Sequence, residues 1–164
     1  MSWLIACSCP AHNLLTPKER PPVNTIYDSK SLLYGDITGA LFNAFIELNY
    51  YFSSRQSFSE HEMCRALAVE MQARGYSCQL EVPVEHTYSG ESIGTGYIDL
   101  VIDDRVAVEV KKTHQLSPAA LDQLRLYMEH SGLRVGIAMT FGRPYAKLSQ
   151  ESVRRQLFRR VELE

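Results

Sequence analysis

Long apolar runs are missing from this sequence. No stretch approaches the roughly 18 to 20 consecutive apolar residues of a helical membrane span, so an integral membrane protein of that kind is excluded. An excess of charge of either sign is also missing: 17 Lys and Arg stand against 19 Asp and Glu, for a formal net charge of −2. The field of the whole molecule therefore does not attract phosphate, and nucleic-acid binding would need a local basic patch. The apolar start from Trp3 to Cys7 lacks a preceding basic region, which makes it a poor secretory signal and leads us to expect a cytoplasmic protein. Cysteine is scarce. With so poor a signal, the four cysteines are not expected to form a disulfide framework. Cys64 falls in a helical pattern and Cys78 in a strand pattern, as small buried hydrophobes do. Cys7, Cys9 and His12 offer only three ligands without the paired spacing of a structural zinc site, so we take them as part of an untidy terminal segment.

What is present is the composition of a globular chain, 45% hydrophobic and 22% charged, which rules out intrinsic disorder. The length of 164 residues fits one domain. Residues 1–35 hold Pro10, Pro17, Pro21 and Pro22 and show no sustained period, which predicts an irregular N-terminal arm. Residues 36–164 are expected to form a single domain. Ile37, Leu41, Phe45 and Leu48 recur at helical steps from Asp36 to about Tyr51. A second helix is predicted from Glu60 to Arg74, with Gly75 as its stop. Leu80, Val82 and Val84 alternate as a strand, and Ser89-Gly90-Glu91 is a turn. Strands are predicted over 92–102 and 105–112, then a helix capped by Ser117 with Pro118 in its first turn and ending near Gly132. A strand from Leu133 to Thr140 and a basic amphipathic helix from Ser149 to Val161 complete the order. Helices flanking a central mixed sheet define an α/β (α+β) domain.

The stretch GYIDLVIDDRVAVEVKK, residues 96–112, carries the chemistry. If Asp103, Asp104 and Arg105 form a three-residue loop, Ile102 faces Val106 and Asp99 faces Glu109. Period-two alternation then gathers Ile98, Leu100, Ile102, Val106, Val108 and Val110 on one apolar face, with Asp99, Val101, Ala107, Glu109 and Lys111 on the other. A two-residue loop would mix the faces. Opposed carboxylates repel, and a divalent cation compensates well. Mg²⁺ takes hard oxygen ligands, commonly one or two carboxylates completed by water and phosphate. A lysine beside it suits phosphodiester hydrolysis, by holding the attacking water or neutralising charge on the phosphorane. The structural alternative is that Lys111 simply pairs with Glu109 or Asp99 on a solvated face.

Asp99…Glu109-Val110-Lys111 resembles the signature of the PD-(D/E)XK nuclease superfamily, with Ile98 in place of the usual proline. More narrowly, residues 36–148 resemble a group of small proteins named for a GxxExxY signature. Glu60 with CRALAVEMQARGY matches that group's second helix, LEVPVEHTYSGESIGTGYIDLVIDDRVAVEVKK its strand block, and LSPAALDQLRLYMEHSGLRVGIAMTFG its glutamine-containing helix and closing strand. Ser57 and Met63 stand where the naming signature has glycine and tyrosine. The resemblance implies a restriction-endonuclease-like core. It also implies Mg²⁺ (or Mn²⁺) held by Asp99, Glu109 and the carbonyl of Val110, with Glu60 as an accessory metal-binding carboxylate, catalytic Lys111, and Gln123 near the site.

Glu60 also fits a capping box with Ser57, whereas Ser59 with Glu62 fits equally well and would leave Glu60 free. Gln123 and Tyr127 share a helical face, where a glutamine could orient water or substrate, or make a helix–sheet hydrogen bond. Lys112 and His114 flank the strand end within reach of phosphate. Arg154, Arg155, Arg159 and Arg160 on the last helix could form the local basic patch, or a solvated face. The expectation is a metal-dependent nuclease acting on DNA phosphodiesters, possible as a homodimer. The alternative is an inactive nuclease-fold module that binds nucleic acid or a protein partner.

Overall fold

Apolar residues at three- and four-residue steps need a surface to bury against, and the first helix finds it on a sheet. The computed structural model describes residues 32–53, 57–141 and 152–158. Helix α1 (Gly35–Ser53) buries Ile37, Leu41, Ala44 and Phe45. Helix α2 (Glu60–Ala73) buries Met63, Cys64, Leu67 and Met71. Both lie on one face of a five-stranded sheet built from β1 (Cys78–Tyr88), β2 (Glu91–Ile102), β3 (Val106–Lys111), β4 (Val135–Thr140) and β5 (Val153–Leu157). Helix α3 (Pro118–Ser131) covers the other face with Leu124, Tyr127 and Met128. Among the described residues no helix is long and apolar enough to cross a membrane.

The strands lie in chain order, β1-β2-β3-β4-β5, and only β3 and β4 run parallel. A parallel pair needs a crossover, and α3 provides it. The sheet is therefore mixed, in an α+β domain. The β2–β3 turn follows the expected register, pairing Ile102 with Val106, Val101 with Ala107 and Leu100 with Val108. Asp103 and Asp104 both take positive φ, 51° and 55°, as a twisted hairpin turn requires. Ser117 caps α3 on the amide of Ala120, and Gly132 ends it at φ 74°.

Three expectations need correction or lie outside the described residues. Ile98 does not join Leu100 and Ile102; it packs with Val101, Ala107 and Tyr127 under α3, while Leu100, Ile102, Val106, Val108 and Val110 face α1 and α2. The alternation breaks at Asp99. Where a helix over Ser149–Val161 was expected, residues 153–157 form β5, antiparallel to β4. Val153 and Leu157 are four apart, a spacing that fits one helical face and one strand face equally. The open edge of β4 decides between them by pairing its main chain. Of the arginines expected on that helix, Arg154 is exposed on β5, while Arg155 donates from Nη2 to the carbonyl of Leu33 at 2.8 Å and so holds β5 to the start of α1. The Cys7, Cys9 and His12 cluster, the arm up to residue 31, and Arg159 and Arg160 lie outside the described residues.

Candidate active site

The ladder between β2 and β3 ends at Leu100 and Val108, one residue short of Asp99 and Glu109. Beyond that point a side chain takes over the work of the main chain. Asp99 Oδ2 accepts the amide of Val110 at 2.7 Å, which fixes the carboxylate against β3. On its other side β3 continues its pairing with β4, through Glu109 with Ala138 and Lys111 with Thr140. The amide of Phe141 binds the carbonyl of Lys111 at 2.9 Å. Carbonyls alternate sides along a strand, so the carbonyl of Val110 faces away from β4, toward Asp99. The splayed end of the hairpin thus presents two carboxylates and one main-chain oxygen.

Glu109 is only 1% exposed although it carries a carboxylate. Its Oε1 meets the ammonium of Lys111 at 2.7 Å, whereas its Oε2 is buried with no hydrogen-bond partner among the described residues. Burial first, and then the charge of Asp99, push the Glu109 carboxyl up to about 7, against the opposing pull of Lys111. Asp99 is raised as well: burial dominates and Glu60 and Glu81 add to it, while the Val110 amide and Lys111 act in the opposite sense. For Lys111, burial would lower the ammonium, but its bond to Glu109 and the fields of Glu109, Asp99 and Glu60 carry the net shift upward.

Glu60 is free for the site because the cap of α2 is built one residue later. Ser59 is the N-cap: its hydroxyl accepts the amide of Glu62, and the carboxylate of Glu62 returns to the amide of Ser59 at 2.8 Å. That bond, with a second from the Ser59 hydroxyl, holds the Glu62 carboxyl below its usual value. Of the two capping boxes open in the sequence, the structure forms the second. Glu60 Oε1 then reaches the far end of β3 and accepts the amide of Lys112 at 2.6 Å. Asp99, Glu109, Lys111 and Glu60 are therefore brought to one place.

Gln123 belongs to a neighbouring group. Its Nε2 donates to Tyr127 Oη at 2.7 Å, and Tyr127 stacks on His86 with ring centroids 5.9 Å apart. Gly96 lets Tyr127 lie this close, since a Cβ there would come within 2.5 Å of its ring. Lys112 and His114 are exposed beyond the end of β3.

Two residues near the site gave no functional signal in the sequence. Cys64, buried as expected, also donates from Sγ to the carbonyl of Asp99 at 3.4 Å, and burial raises its thiol well above the ordinary range. Glu81 stands opposite Asp99 on β1 and pairs with His61 Nδ1 at 3.3 Å. In an alternating strand it is indistinguishable from a solvent-facing glutamate.

Among the described residues no three His, Cys, Asp or Glu side chains converge as a complete metal cage. A Mg²⁺-like ion does not need one, because it commonly keeps water around one or two carboxylates. The partnerless Oε2 of Glu109 and the hard-oxygen set of Asp99, Glu109 and Val110 fit such an ion. A mixed sheet between two helical layers, with carboxylates and a lysine where its hairpin splays, has the architecture of a restriction-endonuclease-like nuclease core. A family profile, the PD-(D/E)XK nuclease superfamily, matches residues 35–155, and the chain belongs to that superfamily. Comparison with curated proteins and with solved structures finds no match.

Proposed function

We propose that this protein is a divalent-metal-dependent nuclease hydrolysing DNA phosphodiester bonds, and that within its superfamily it belongs with the GxxExxY-signature proteins. The observation that carries the reading is the buried Glu109 carboxylate, with one oxygen on Lys111 and the other without a partner, beside an Asp99 fixed by the Val110 amide. Asp99, Glu109 and the Val110 carbonyl would hold Mg²⁺ (or Mn²⁺). When bound, the cation supplies Lewis acidity toward a phosphoryl oxygen and makes water more acidic. Lys111, 2.7 Å from Glu109, would hold the attacking water or neutralise charge as it develops on the phosphorus oxygens. Glu60, an accessory carboxylate for the cation, orders the turn after Lys111 through the Lys112 amide, and Gln123 would orient substrate or water from α3, where it is bonded to Tyr127. A homodimer acting in the cytoplasm would set two such sites on a duplex.

Wild type, Lys111→Ala and Glu109→Ala are compared in cleavage and gel-shift assays on linear and single-stranded DNA with Mg²⁺ or Mn²⁺. Lys111→Ala should keep nucleic acid and metal while cleavage falls by about two orders of magnitude or more, since a transition-state interaction is lost. Lys111→Arg should not restore it, because a planar fork cannot occupy the place of a compact ammonium. Glu109→Ala should lose the metal. A wild type that retains DNA but shows no divalent-dependent cleavage would instead identify a binding module.

A further inference from the structure

Strands β1 and β2 change the layer they bury at the same place. Leu80 and Leu100 pair with each other and both pack toward α1 and α2. Two residues along, Val82 and Ile98 pair, and both pack under α3. In an unbroken strand residues two apart share a face, so both strands must reverse between these pairs. The position between them is Glu81 opposite Asp99, and the ladder has no regular pair there. Glu81 has φ +51° in the middle of a strand, a left-handed conformation that non-glycine residues rarely adopt and that turn residues, not strand residues, ordinarily supply. No turn is made here. The chain continues as β1 on both sides.

We propose that Glu81 is a positioning residue, whose left-handed backbone reverses β1 and β2 and so turns Asp99 out of the ladder onto the amide of Val110. The consequence on β2 is direct. Had residue 81 been extended, Asp99 would sit in a regular pair with it, and Ile98 would share the face of Leu100 and Ile102. With the reversal, Ile98 goes under α3, and the Asp99 carboxylate takes the Val110 amide at 2.7 Å in place of a main-chain partner. The exposed Glu81 side chain (66% accessible) adds a brace, since its carboxylate meets His61 at 3.3 Å in the first turn of α2, next to Glu60. The backbone does the positioning and the side chain is secondary. That a metal-holding site is being positioned rests on the proposed function; the placement of Asp99 does not.

Three variants separate backbone from side chain: Glu81→Gly, which accepts positive φ; Glu81→Gln, which keeps the shape without the charge; and Glu81→Val, whose β-branch strongly disfavours it. Amide hydrogen exchange of the metal-free proteins reads the Val110 N–H, and calorimetry reads Mn²⁺ affinity. Glu81→Gly and Glu81→Gln should keep Val110 exchange and Mn²⁺ affinity within about threefold of wild type. Glu81→Val should speed Val110 exchange about tenfold or more and weaken Mn²⁺ by a similar factor, with Val106 and Val108 still protected. If Glu81→Val fails to fold, Glu81→Ala takes its place, with a smaller change in the same direction. The proposal is overturned if Glu81→Val leaves Val110 as protected as in wild type, or if Glu81→Gly is as damaged as Glu81→Val. A wild type that binds no Mn²⁺ would sink the nuclease reading alone, because the exchange comparison decides the positioning role without metal.

Discussion

A carboxylate raised to about 7 by burial and by a neighbouring aspartate is held in the fold at a cost, and the cost has a sign. The metal-free fold favours the neutral form of Glu109. Its contribution to stability is therefore fully present below the ordinary carboxyl value of 4.5 and is lost as pH rises through about 7. Lys111, shifted upward from 10.5, stays charged throughout that window and contributes no slope there. Wild type minus Glu109→Gln should thus lose on the order of 2–3 kcal/mol of relative stability between pH 4.5 and pH 7.5 in chelator, as read by urea unfolding. A difference that stays flat with pH would mean that Glu109 ionises like a surface group. That Asp99, Glu109 and Lys111 lie on one hairpin was legible in the sequence because turn length is local; that Asp99 leaves the ladder for the Val110 amide was not. The role of Glu81 was not, because nothing local announces a glutamate at positive φ.

At the scale of elements, α2 shows how a cap decides which carboxylate can reach β3. Two overlapping capping boxes were open, and a local pattern could not choose between them. The choice falls to Ser59 and Glu62 because Glu60 has a better partner in the Lys112 amide, 52 residues away. Ser59→Ala should destabilise the protein by about 1 kcal/mol and also loosen Glu60 from β3. Thermal unfolding reads the first effect and the exchange of the Lys112 amide the second. Glu60→Gln should disturb the Lys112 amide while leaving the Ser59–Glu62 cap in place. The packing of α3 on β2 depends on a missing side chain. Gly96→Ala would press a Cβ against the ring of Tyr127 and against His86, a rigid stacked pair, and should cost roughly 1–3 kcal/mol in a thermal unfolding assay. If Gly96→Ala unfolds like wild type, Tyr127 is not wedged as described.

For the whole molecule, metal and fold should be linked. A cation that binds the native site but not the unfolded chain stabilises by mass action, about 1.4 kcal/mol at ten times its Kd. Saturating Mn²⁺ should therefore raise Tm by roughly 3–5 °C in wild type and leave Glu109→Ala unchanged. An equal rise in both proteins would place the cation elsewhere. The sequence by itself determined the elements through residue 141, the turn at Asp103 and Asp104, and which charged residues share a hairpin, because periodicity and turn chemistry act over a few residues. Tertiary structure decided the rest. It made a strand of residues 153–157, whose spacing suits either period, because β4 had an open edge to pair. It sent Ile98 under α3 through a reversal centred on Glu81, and it brought Glu60 to the end of β3. Each depends on partners far apart in the chain, whose positions exist only once the sheet has formed.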